Sequence, residues 1–435
     1  VSFLEKTVQQ NIADLSNQNL KSKDYKIFQS IFFKALSSMR KGSIRILLPD
    51  GTQTFLGDPK SNFDTRFHSG LIQIRNPIFF RKAVLYGDIG FSESYMDGDW
   101  DTDSIETVIS WFILNVDSSP NIAGSENKLF HLDFFNLASK FLNIIRKNTL
   151  KGSRKNIVAH YDLGNGFYKL FLDKTMTYSS AYFESVDQKL ESAQLTKVAK
   201  LCKKLRLKKG EHLLEIGSGW GFLAVYAAKT YGVKVTSITL SDEQLKYSID
   251  RAKQENVSHL IEFKLLDYRK LTGTYDKIVS VEMLEAVGDK YYESFFSKCQ
   301  EVLKPDGLMA LQVITCPDDR FMEIKKGVDF IQKHIFPGSL IPSIARLNQA
   351  VNATGNMFLN QLEDMGSHYA RTLNQWQNTF DQNVDAVRKQ GFDEKFIRKW
   401  RYYLGYCASA FRMKNLSVIQ MVYTRPNNYD LEDSN

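Results

Sequence analysis

Between residues 191 and 315 the chain alternates between two hydrophobic periods. Short apolar or β-branched runs, such as His212-Leu213-Leu214 and Lys234-Val235-Thr236-Ser237-Ile238-Thr239-Leu240, alternate with stretches whose apolar positions recur every three or four residues. The first pattern predicts strands and the second helices. Strands are expected at 211–216, 234–240, 260–265, 275–281 and 307–314, with helices at 191–206, 220–230, 241–255 and 289–303. Such alternation predicts an α/β fold with a parallel sheet covered on both faces. Residues 317–365 break the rhythm with aromatics, Lys and Pro around Phe336-Pro337-Gly338. They are too many for a plain loop and predict an inserted helical cap. Helices at 371–390 and 394–413 follow, and Leu416–Tyr423 alternates like a closing strand.

The N-terminal part reads differently. A helix is expected around 27–36, and Pro49-Asp50-Gly51 joins 43–48 to 52–56 as a hairpin, with another strand at 70–74. Residues 78–115 look helical but are broken by Gly87, Gly90 and Gly98. A loop at 118–126, a helix at 130–146 and the basic run Arg146–Lys155 come next. This divides the chain into a smaller α+β domain (1–125), a helix and basic linker (126–155) and a large domain (156–435) that carries the cap.

Composition narrows the class. At 435 residues the chain has room for two or three domains, and 43% hydrophobic with 24% charged residues fits a globular protein. The surplus of 57 Lys+Arg over 49 Asp+Glu favours anionic surfaces. An interleaved aromatic and basic RNA-binding motif is missing, so no nucleic-acid partner is expected. Cys202, Cys299, Cys316 and Cys407 lie far apart, against a zinc site or a disulfide framework and consistent with a reducing cytoplasm. Neither a secretory pattern nor a membrane-spanning run is seen.

Glu215-Ile216-Gly217-Ser218-Gly219-Trp220-Gly221 carries the first chemical signal. It turns a strand into a helix through glycines, which lets a ligand approach the backbone next to free helix N–H groups. A dinucleotide fingerprint would need glycine at 222, where Phe222 stands, and an acid to end the next strand, which ends in a hydroxyl. Glu-x-Gly-x-Gly-x-Gly is similar instead to the first motif of S-adenosylmethionine (SAM) methyltransferases.

Further constellations follow in order. They are His160-Tyr161-Asp162-Leu163-Gly164-Asn165, Tyr178-Ser179-Ser180-Ala181-Tyr182-Phe183, Thr239-Leu240-Ser241 with Gln244, and Val279-Ser280-Val281 with Met283, Glu285, Val287 and Gly288. With the glycine elbow, this set resembles the cyclopropane fatty acid synthase family. Gly90–Gly98 is similar to the N-terminal domain of its phospholipid-acting branch. The likeness covers about residues 70–425.

The resemblance implies a Rossmann-like SAM methyltransferase sheet and transfer of a methylene unit to the cis double bond of unsaturated phospholipid acyl chains. It places Tyr178, Ser179, Gly217 and Gly219 at the methionine half of SAM, with Ser218 and Gly221 completing the elbow. It places Thr239 and Gln244 at the ribose, and Asp267 and Tyr268 at the adenine. It implies a bound bicarbonate as base, gripped by Glu285, Tyr369, Gln312 and Ser180. Many members carry Cys at 180 and His at 312; Gln312 can donate but cannot carry charge. A methyl-branched product or a small soluble acceptor therefore stay open beside the cyclopropane. Cys407 matches a cysteine proposed as catalytic, although its apolar neighbours fit core packing. A peripheral association with the inner face of the membrane is expected, the cap residues Phe321, Phe330, Ile331, Phe336, Lys325, Lys326 and Lys333 taking part. A homodimer is also implied.

Overall fold

The computed structural model describes residues 22–58, 69–115, 163–428 and 431. The loop, helix and basic run expected between 118 and 155, and His160-Tyr161-Asp162, lie outside them. Among the described residues, 22–103 with 114–115 form one unit, and 104–113 with 163–431 the other. The expected boundary at 125 lies outside the described residues.

The first unit holds α1 (Ser22–Leu36), β1 (Gly42–Leu47), β2 (Gln53–Asp58), β3 (Ser69–Ile74), α2 (Ile78–Met96) and β4 (Trp100–Asp101), with strand order β2-β1-β3-β4. The hairpin turns at Gly51, φ 84°, where Thr52 N–H donates to Asp50 Oδ1 at 2.9 Å. Gly87, φ 57°, kinks α2 without ending it. Trp100 is buried against Phe79, Phe91 and Tyr95, and its indole N–H donates to the Phe91 carbonyl.

The second unit begins with the first nine residues of α3 (Ile105–Asn115). These residues lie on the long helix 394–412, where the Ser409 hydroxyl donates to Glu106 O at 2.8 Å and Arg412 pairs with Glu106. Then come α4 (Gly164–Tyr168), α5 (Leu190–Lys204), β5 (His212–Ile216), α6 (Phe222–Tyr231), β6 (Lys234–Thr239), α7 (Asp242–Gln254), β7 (Ile261–Leu265), β8 (Tyr275–Val281), α8 (Tyr292–Val302) and β9 (Leu303–Thr315). The cap helices are α9 (Phe321–Lys326), α10 (Phe330–His334) and α11 (Ile344–Asn352). β10 (Phe358–Asp364), α12 (Gly366–Gln382), α13 (Val384–Lys389), α14 (Glu394–Arg412) and β11 (Ser417–Thr424) close the chain.

The sheet order is β10-β11-β9-β8-β5-β6-β7. β9, β8, β5, β6 and β7 run parallel, and β11 lies antiparallel to β9. Successive strand residues face opposite cores: Leu214 and Ile278 pack on the α8 and α11 side, Leu213 and Val279 on the α5 and α6 side. Burial on both faces explains why these strands read as nearly continuous apolar runs. The expected cap boundary at 365 needs correction, because 358–364 is β10, antiparallel to β11. This edge strand is half polar and largely exposed, so its period of two is weak. Among the described residues, no helix is long and apolar enough to cross a membrane.

Candidate active site

Chain order reverses at β5. From it the sheet grows outward through β6 and β7, then on its other side through β8 and β9. The crevice outside the carboxyl ends of β5 and β8 is thus a topological switch point, where open α/β sheets bind ligands. Both chemical signals meet there: the glycine elbow leaves β5, and the segment with Glu285 leaves β8. The N–H groups of Gly217 and Ser218 both donate to Ile238 O, at 3.0 and 2.9 Å, which anchors the elbow on β6. The Ser218 hydroxyl is tied down through Ser237, whose Oγ lies 2.7 Å from it and 2.5 Å from Glu215. Burial raises the pKa of Glu215, against the Ser237 hydrogen bond and the charge of Lys197.

Two elbow glycines do different work. A Cβ on Gly221, φ 79°, would sit 2.8 Å from Ser248 Cβ, so that glycine serves the packing of α6 on α7. A Cβ on Gly219, φ 50°, would meet no atom of the chain within 4 Å, as in a cradle for a ligand. At the end of β6, the Thr239 hydroxyl donates to Gln244 Oε1 at 2.9 Å, so the expected ribose pair is one bonded unit. Asp267 accepts from Arg269 at 2.6 and 2.8 Å and caps the following turn. The Tyr268 ring packs in the core against Phe295, at 5.3 Å. It is an apolar ring within an apolar cluster, and burial pushes its phenol up to about 12.

Aromatic rings wall the crevice. Tyr178 lies 5.4 Å from Tyr168, 5.3 Å from Trp376 and 6.4 Å from Phe336, and its hydroxyl donates to Tyr403 at 2.9 Å. Tyr369 packs on Trp376 and Phe411. Trp220 stacks near Tyr168 and donates to Asn165 Oδ1 at 2.7 Å, which ties the elbow to the motif before it. The cap aromatics turn inward, which corrects the expectation that they face a membrane. Phe321 and Phe330 are buried, Phe330 against Tyr402, and Phe336 lies against Tyr178 and Tyr403. Lys325 pairs with Asp289 at 2.5 Å.

Tyr369 joins these rings to a group of ionisable residues. Glu285 Oε1 accepts from Ile314 N–H at 2.6 Å, and its Oε2 has no hydrogen-bond partner among the described residues. Burial, then the neighbouring charge of Glu282, raises Glu285 to about 8. The other donors implied for bicarbonate converge elsewhere. Ser180 N–H and Gln312 Nε2 both donate to Glu282 Oε1, at 2.9 and 2.8 Å, and the Tyr369 phenol bonds the same carboxylate. The Ser180 hydroxyl donates to Ala181 O at 3.0 Å. Sequence reasoning missed Glu282, which stands three residues before Glu285 in an otherwise apolar run. Lys197 was also missed. It is buried, donates to Ser179 Oγ at 2.7 Å, and is lowered to about 8 by burial against the raising charges of Glu282, Asp173 and Glu215. Cys407 approaches Tyr369 and Tyr403, and burial pushes its thiol up, so it is held as a thiol.

A glycine elbow at a switch point, under an aromatic wall suited to a sulfonium cation, defines a SAM-dependent methyltransferase. The chain belongs to the mycolic acid cyclopropane synthetase family, whose sequence pattern matches residues 148–421. It is 35% identical to the cyclopropane-fatty-acyl-phospholipid synthase of Escherichia coli K12 over 81% of this chain and 87% of that one. It is 34% identical to the tuberculostearic acid methyltransferase UfaA1 of Mycobacterium tuberculosis over 88% of each. Among solved structures, the cyclopropane synthase MmaA2 of M. tuberculosis superposes with a TM-score of 0.58 at 31% identity, covering 62% of this chain and 98% of that one. The mycolic acid cyclopropane synthase CmaA1 complexed with SAH (S-adenosylhomocysteine) and CTAB matches equally, with a TM-score of 0.58 at 32% identity and the same coverage.

Proposed function

We propose that this enzyme alkylates the cis double bond of unsaturated phospholipid acyl chains at a membrane surface, giving a cyclopropane. The observation that carries the reading is the cluster of rings, Tyr178, Trp376, Phe336 and Tyr369, gathered beside the acids at the switch point, which suits a poor nucleophile that must be kept from water. SAM, when bound, supplies an electrophilic methyl group on a sulfonium. Gly217 and Gly219 fit the approach of its methionine half, with Tyr178 and Ser179 opposite, and Thr239 with Gln244 fit the ribose. Asp267 retains acceptor capacity beside its Arg269 bonds. Tyr178, Trp376 and Phe336 would exclude water and present ring faces to positive charge, first on sulfur and then on the alkylated chain.

Bicarbonate fits this site poorly. Three of the donors the resemblance assigns to it, Ser180 N–H, Gln312 and Tyr369, already bond Glu282. The relative named a tuberculostearic acid methyltransferase supports a second reading, a methyl-branched product from the same cation. Peripheral docking on the cytoplasmic face, and pairing of two copies, complete the proposal. Mass spectrometry of lipids from cells expressing the chain tests it. A gain of one CH₂ on unsaturated acyl chains is expected, and fragmentation separates ring from branch. Unchanged lipids, with methyl transfer to a soluble acceptor instead, would refute the lipid reading.

A further inference from the structure

We propose that Glu282 is the base of this reaction and takes the proton released when the alkylated acyl chain closes its ring. The inference rests on the lipid reading above. Four observations carry it. Glu282 is the second described residue beyond the switch-point strand's last buried position, and it holds φ at 47°, a left-handed conformation rare outside glycine. Such strain is kept where a side chain must be aimed. Its carboxylate has three donors, Ser180 N–H, Gln312 Nε2 and Tyr369, which favour the anion. Those donors are also polarised in one direction. Lys204, which can only donate, bonds Gln420 Oε1 at 2.6 Å; Gln420 Nε2 then donates to Gln312 Oε1 at 3.0 Å, leaving Gln312 Nε2 to point at Glu282. Finally, the residue is half-buried: burial raises the Glu282 carboxyl above its ordinary value, which strengthens it as a base, and the charge of Lys197 opposes that rise.

The two acids thereby part in role. Burial raises both carboxyls; Glu285, with the charge of Glu282 beside it, is raised to about 8 and stays protonated near neutral pH, whereas three donors and Lys197 oppose the rise at Glu282. In the step, the alkene π pair forms the new C–C bond as the methyl–sulfur pair leaves with sulfur, and the chain carries a cation on the neighbouring carbon. A Glu282 oxygen takes a proton from the new methyl, and that C–H pair closes the third side of the ring. The proton returns to water from Glu282 after the product leaves.

The test needs bicarbonate, SAM and vesicles of unsaturated phospholipid. In buffer stripped of carbon dioxide, wild-type turnover is expected to be indifferent to added bicarbonate, and calorimetry of the unloaded protein should show no bicarbonate binding. Glu282→Gln should bind SAM within about threefold of wild type and lose about 100-fold or more in turnover. Glu282→Gly relieves the positive φ and frees the donors, so calorimetry of that unloaded variant should show bicarbonate binding. Wild-type turnover that requires bicarbonate, bicarbonate binding equal in wild type and Glu282→Gly, or a Glu282→Gln enzyme within about threefold of wild-type turnover would overturn the proposal. Wild type that alkylates no lipid defeats the lipid reading separately, because the bicarbonate titrations need no substrate.

Discussion

Alanine at Gly219 and at Gly221 should separate cofactor binding from folding. Both glycines hold positive φ, 50° and 79°, which costs a residue with a Cβ about 1–2 kcal/mol. At 219 that is the whole cost to the free protein, since the new Cβ meets no atom within 4 Å. At 221 the Cβ also lies 2.8 Å from Ser248 Cβ and 2.9 Å from its Oγ. Overpacking of this kind adds about 1–3 kcal/mol, for a total of about 2–5 kcal/mol. With about 2–4 °C of melting temperature per kcal/mol, Gly219→Ala should melt a few degrees below wild type and Gly221→Ala roughly twice as far below. Calorimetry should reverse the order. SAM affinity should fall about tenfold or more in Gly219→Ala, and further in Gly219→Val, because the open face of 219 is the one a ligand would use. Gly219→Ala with affinity within about twofold of wild type, or with the larger loss of stability, would refute this division of labour.

Three further substitutions probe the acids and the thiol. Glu285 is raised from 4.5 to about 8, so its stabilising contribution is fully present below 4.5 and lost as pH rises through 8. Glu285→Gln cannot ionise and should match wild-type stability near pH 5, then exceed it at pH 8 by at most a few kcal/mol in denaturant titrations; a constant difference across that window would refute the assignment. Lys197→Met removes the positive charge that holds Glu282 down, so the acid limb of the pH–rate profile should move to higher pH, and an unmoved limb would separate the two residues. Cys407→Ser should stay active and wild type should resist iodoacetamide at neutral pH, whereas a folded, SAM-binding but inactive variant would give the thiol a chemical part.

How much was legible beforehand follows from what each segment buries. Tyr275–Val281 was readable to the residue because the strand is covered on both faces and carries almost no exposed polar position. The elbow was readable because positive φ at Gly217, Gly219 and Gly221 leaves few other residues possible. β10 was missed because an edge strand tolerates polar residues on both sides; Leu359 and Leu362 even fall out of step across a bulge. Phe321, Phe330 and Lys325 were misplaced because an amphipathic cap looks the same in sequence whether its apolar side meets lipid or Tyr402.

The site itself was half legible, and the missing half has one cause. Tyr178, Ser180, Gln312, Tyr369 and Glu285 were named through a resemblance to a family motif that leaves position 282 open. A pattern registers what recurs and passes over what one chain adds. The physical signal was nevertheless present. A carboxylate at 282, directly after Val279-Ser280-Val281, must be desolvated at the end of a buried strand, and such a group persists only with donors. Gln312 is the other half of that signal. On β9 it pairs in register with Val281, so its side chain emerges beside the start of the 282 segment. Histidine there could bring its own charge to an exogenous anion; a neutral amide oriented by Lys204 and Gln420 instead suits an anion the chain carries itself. On the proposed reading the two positions act together: the acid at 282 supplies the charge, and the amide at 312 holds it in place.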